Sequence, residues 1–68
     1  NPASNIVTIE SGSPMQNIRI FNLSGQKVYE VALDQSEVEL NIEFLKKGIY
    51  MINIETENGT RVEKLNVY

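Results

Sequence analysis

Apolar side chains in this chain fall mostly at every second position, in short runs separated by groups of Gly, Pro, Asn and Ser. A period of two places alternate residues on opposite sides of an extended backbone, so each run can bury one face and leave the other wet. Turn residues between such runs signal hairpins and an all-β chain. With 68 residues the sequence makes one domain at most, spanning 1–68. A hydrophobic content of 41% suffices for a thin core and is too rich for ordinary disorder.

The first strand is expected from Asn5 to Glu10, with Val7 and Ile9 on one face, and Ser11-Gly12-Ser13-Pro14 breaks it. A second strand runs from about Gln16 to Phe21, with Ile18 and Ile20 sharing a face. Asn22-Leu23-Ser24-Gly25 suits a type I turn followed by a left-handed glycine. The third strand covers Lys27 to Leu33, Asp34-Gln35-Ser36 interrupts, and the fourth carries Val38, Leu40 and Ile42 opposite Glu37, Glu39, Asn41 and Glu43. Leu45 to Gly48 could hold one helical turn closed by the glycine.

Asn58-Gly59 is the preferred pair for a two-residue type I′ loop. With those two residues as the loop, Thr56 faces Arg61, Ile54 faces Glu63, Ile52 faces Leu65 and Tyr50 faces Val67. The other side pairs Met51 with Asn66, Asn53 with Lys64, Glu55 with Val62 and Ile49 with Tyr68, a mainly polar set. Six or seven strands in a small immunoglobulin-like antiparallel β-sandwich bury these faces economically; an incomplete barrel is the competing arrangement.

Composition removes most chemistry. The chain has no Cys and no His, so disulfides, thiolate metal sites and the Ser-His-Asp and Cys-His arrangements are absent. A net charge of −3, with only Lys46 and Lys47 adjacent, argues against nucleic acid. No apolar run approaches the roughly 20 residues of a membrane-spanning helix, and the Asn1-Pro2-Ala3 start is no signal peptide. Glu37, Glu39 and Glu43 read as a solvated strand face rather than a calcium site, which draws its oxygens from a tight loop. Lys46-Lys47 reads as a polar turn. Asn22-Leu23-Ser24 and Asn58-Gly59-Thr60 match the glycosylation pattern, but Asn is wanted at both places for turn geometry. Tyr29 and Tyr50 read as core members. On the residues alone, the chain is a non-catalytic β module without cofactor or small-molecule substrate, which binds something or is bound. Self-association through an edge strand is open to it.

Four blocks in order resemble a known family. Asn1-Pro2-Ala3 followed by Val7-Thr8-Ile9, then Ile18-x-Ile20-Phe21-x-x-x-Gly25-x-x-Val28, then Leu45-x-x-Gly48-Ile49-Tyr50, then Lys64-Leu65-x-Val67 are similar to type A C-terminal sorting domains of the type IX secretion system. The resemblance implies a domain that closes a larger secreted precursor of Gram-negative bacteria. Such a domain is recognised on the periplasmic side by a shuttle protein and the outer-membrane translocon. A cell-surface sortase then removes it, here at a cut upstream of Asn1, and the cargo stays attached at the surface. Among the matched positions, Gly48 is expected to serve backbone geometry and Tyr50, Leu65 and Val67 the core, with Lys64 the candidate for direct contact. A rival reading is an adhesive or structural immunoglobulin-like module of a surface protein that binds glycan or protein.

Overall fold

The computed structural model describes residues 6–68; the expected strand start at Asn5 and the Asn1-Pro2-Ala3 block lie outside the described residues. The described chain is all β: β1 (Ile6–Asn22), β2 (Lys27–Asn41), β3 (Gly48–Thr56) and β4 (Gly59–Val67). They form one four-stranded antiparallel sheet in the order β2-β1-β3-β4. This corrects the expectation of six or seven strands, because the first two expected strands are one continuous β1 and the next two are one continuous β2.

What joins them is a large irregularity in the β1–β2 ladder. Between the pairs Glu10↔Glu37 and Met15↔Gln35, β1 carries Ser11 to Pro14 while β2 carries only Ser36. The extra residues bend the ribbon and shift its pleat. Inward residues are odd-numbered as far as Met15 (Val7, Ile9, Met15) and even-numbered beyond a second shift between Met15 and Asn17 (Ile18, Ile20). On β2 the corresponding change separates Tyr29, Val31 and Leu33 from Val38 and Leu40. Pro14, which has no N–H to give a ladder, lies inside the unpaired stretch.

The bend is large. A straight strand of 17 residues would run about 55 Å at roughly 3.3 Å per residue, yet the molecule measures 31 × 26 × 16 Å along its axes. The outer halves of β1 and β2 therefore double back. Ile9 and Leu40 from those halves, with Ile42 just beyond β2, share one buried cluster with Met15, Ile18, Ile20, Tyr50, Ile52, Ile54 and Leu65. No polar or charged residue is buried among the described residues. The core is thus closed by a single folded ribbon.

Turn geometry follows local chemistry. At Asn22–Gly25 the Gly25 N–H donates to the Asn22 carbonyl at 3.0 Å, and Gly25 has φ +88°. The Asn22 side-chain oxygen accepts from the N–H groups of Ser24 and Gln26 and from the Ser24 hydroxyl, so the expected turn forms with its asparagine fully used. Leu45 to Gly48 forms no helical turn. Instead Leu45 N–H donates to the Ile42 carbonyl at 2.9 Å, and Gly48 opens β3 with φ +152°.

The last hairpin forms, but with its register two residues away from the expected one. A type I′ loop needs positive φ at both central residues, and among the described residues only Gly25, Gly48 and Gly59 adopt positive φ. Glu57 and Asn58 occupy the loop instead, and Thr56 pairs with Gly59, which takes φ +130°. The Thr56 hydroxyl fixes this turn by accepting from the Asn58 N–H at 3.1 Å and donating to the Gly59 carbonyl at 3.3 Å. Tyr50 consequently pairs with Leu65, Ile52 with Glu63 and Ile54 with Arg61. A slip of two residues keeps every side chain on its expected face.

Candidate functional site

The residues singled out from sequence converge on one end of the β3–β4 ribbon. Gly48 pairs with Val67, Tyr50 pairs with Leu65, and Lys64 lies across from Met51. Tyr50 and Leu65 are buried at 8% and 7% exposure, and Val67 packs against the core from its edge. The Tyr50 hydroxyl donates to the Lys46 carbonyl at 2.7 Å, so the ring is anchored at its polar end to the loop that leads into β3. That bond satisfies the one polar atom a buried tyrosine brings.

Lys64 stands apart from these. It is exposed on the outer face, opposite in pleat to Leu65, and forms no ion pair among the described residues. Its neighbours there are more apolar than the sequence suggested. Phe21, Met51 and Lys64 form one cross-strand row, and Arg19, Asn53 and Val62 form the next. Val62 is 55% exposed and Ile49, one strand position from the Tyr50–Leu65 pair, is 40% exposed. Sequence reading missed this stripe because the register it used set Val62 against Glu55. In the observed register Val62 lies beside Asn53, and the row through Met51 and Phe21 runs continuously across three strands.

Farther along that outer face the charges pair. Arg19 donates through Nε to Glu30 at 2.8 Å and through Nη1 to Glu55 at 3.1 Å, and Lys27 donates to the other Glu30 oxygen. The Glu30 carboxyl is held below its ordinary range first by the hydrogen bond from Lys27 and then by that from Arg19, and the Arg19 guanidinium is pushed up by Glu30 and Glu55. These contacts pin β2, β1 and β3 together across the sheet.

An open groove of about 290 Å³ lies at the opposite end, between the β1 bulge and the β3–β4 turn, lined by Ser11, Ser13, Thr56, Asn58 and Arg61. Its polar groups bond to one another. Asn58 donates to the Ser13 hydroxyl at 2.6 Å and Arg61 donates to the Glu10 carbonyl at 2.7 Å. The groove is the seam that fastens the doubled-back ribbon to the last hairpin. Among the described residues no group of three or more His, Cys, Asp or Glu could hold a metal ion, and no helix is long and apolar enough to cross a membrane.

Among the described residues the β3–β4 ribbon has an exposed, mixed outer face, and β4 lies at an edge of the sheet. No curated protein matches the chain. The family model described as the secretion system C-terminal sorting domain matches residues 1–68, the whole chain. On that match, the chain belongs to the type IX secretion C-terminal sorting domain family.

Proposed function

We propose that this domain is a non-catalytic address label that is read, in its folded form, from the β3–β4 end. A type IX sorting signal directs its protein to the cell surface or the extracellular space. In this reading the precursor reaches the periplasm, the label is engaged by a shuttle protein and the outer-membrane translocon, and a surface sortase cuts upstream of Asn1. The cargo then remains attached to the cell surface. The doubled-back ribbon supports describing the domain as a two-layered, immunoglobulin-like sandwich built from one sheet. The observation that carries the function is the family match along the whole chain.

The positions of the five residues support the roles given to them in this reading. Gly48, Tyr50, Leu65 and Val67 keep the end of the ribbon in shape, so their loss removes the label by unfolding it. Lys64 and the apolar row beside it touch the machinery directly, and a cation amid apolar side chains suits a partner surface with an acidic group set in an apolar rim.

The test fuses the chain to a periplasmic reporter in a host that carries the secretion system. Surface delivery of the intact fusion and its loss on deletion of β4 support the label. Delivery that survives the deletion overturns it. Lys64→Glu separates the two kinds of role, since it leaves the core untouched. Reduced delivery with an unchanged melting temperature supports direct contact, and undiminished delivery removes Lys64 from the recognition surface.

A further inference from the structure

The two edges of the sheet differ in charge pattern. Edge strand β2 carries Glu30, Asp34, Glu37 and Glu39 against the single cation Lys27. Two copies of it brought side by side would set acid against acid, a common device against edge-to-edge association. Edge strand β4 reads Gly59-Thr60-Arg61-Val62-Glu63-Lys64-Leu65-Asn66-Val67, with signs that alternate around an exposed valine.

From this pattern we propose that β4 is a self-pairing edge: two copies of the chain join antiparallel through it, about a two-fold axis at Val62. Residues directly opposite one another in such a pair must share a face, so only residue-centred registers are open to identical strands. Centring on Arg61, Glu63 or Lys64 puts like charges face to face. Centring on Val62 sets Arg61 opposite Glu63 of the second copy, and Glu63 opposite its Arg61, with Thr60 opposite Lys64 on the other side. Opposite-charge cross-strand pairs attract and like pairs repel by similar amounts.

Arg61 and Glu63 are accessible for this exchange. They bond within one strand at 2.8 Å, with side chains 45% and 53% exposed. The guanidinium has five N–H donors in a fork, so it can serve a carboxylate from each copy while still donating to the Glu10 carbonyl. Val62, 55% exposed alone, gains an apolar partner on the axis. The two sheets become one of eight strands, and neither β4 edge is left open. This inference rests on the chemistry of the strand and is independent of the sorting role.

Sedimentation equilibrium of the 68-residue chain from micromolar to millimolar concentration tests it, with far-UV circular dichroism as the check on folding. The expected result is a concentration-dependent dimer. Glu63→Arg weakens it about tenfold or more, a loss of about 1.4 kcal/mol, and Arg61→Glu combined with Glu63→Arg restores it. The chain has no cysteine, so register is read by single cysteines. Val62→Cys forms a disulfide-linked dimer on mild oxidation, while Thr60→Cys and Lys64→Cys do not. A monomer at every concentration, failure of the folded double variant to recover, or cross-linking at Lys64→Cys in place of Val62→Cys overturns the proposal.

Discussion

Gly48 and Tyr50 show how single residues hold the entry to β3. Gly48 has φ +152°, where a side chain is strained, yet a Cβ built there meets nothing within 4 Å. Gly48→Ala therefore tests backbone strain free of any clash, and is expected to cost about 1–3 kcal/mol. The check is the urea midpoint, shifted at constant slope. Tyr50→Phe keeps the buried ring and removes the bond to the Lys46 carbonyl. A loss of about 1 kcal/mol in the same measurement is expected, the usual worth of one hydrogen bond plus its orphaned partner. Turn chemistry points to a glycine of left-handed geometry at 48, where φ is positive, but as the close of a helical turn that does not form. The tyrosine's backbone partner does not follow from residue type, because it depends on where the chain turns after Ile42.

At the scale of strands, alternation revealed which residues face inward but not where strands end. A reversal of pleat phase looks the same in sequence whether the chain leaves the sheet or bulges within it. Ser11-Gly12-Ser13-Pro14 reads as a break by composition, yet the strand runs through it, because the ladder with β2 resumes in a shifted register at Met15↔Gln35. Met15, fully buried just after the bulge, marks the place where both phases meet. Met15→Ala is expected to lower stability by about 2–5 kcal/mol, read as a fall in thermal midpoint. The turn at Asn58-Gly59 teaches a related lesson. Dipeptide preference located the hairpin, but the Thr56 hydroxyl, bonding on both sides of the loop, set it two residues away in register.

For the molecule as a whole, all-β character and family were legible from the pattern, whereas the folding of one sheet upon itself was not, since it arises from a bulge of four residues opposite one. The charge network across the outer face gives a pH dependence with a definite sign. Glu30 is depressed in the folded state from its ordinary 4.5 by Lys27 and Arg19. Its contribution to stability is thus present in full above that ordinary value and is lost as pH falls through the lowered folded value. Urea unfolding followed downward from pH 4.5 should show stability declining in the wild type, with a shallower decline in Glu30→Gln. The group is surface-exposed, so the effect is small and should fade further in salt.

Strand order has one more consequence. β1 sits inside the sheet and β3 joins it across the side that β2 leaves vacant, so the structure grows outward from the strand made first. A chain emerging from a ribosome can pair β1 with β2 at once and add β3 later, and β4 then covers the row of β3 backbone groups that would otherwise stay open along Tyr50, Ile52 and Ile54. A product cut short before Gly59 would leave that row bare and sticky, and completing β4 covers it.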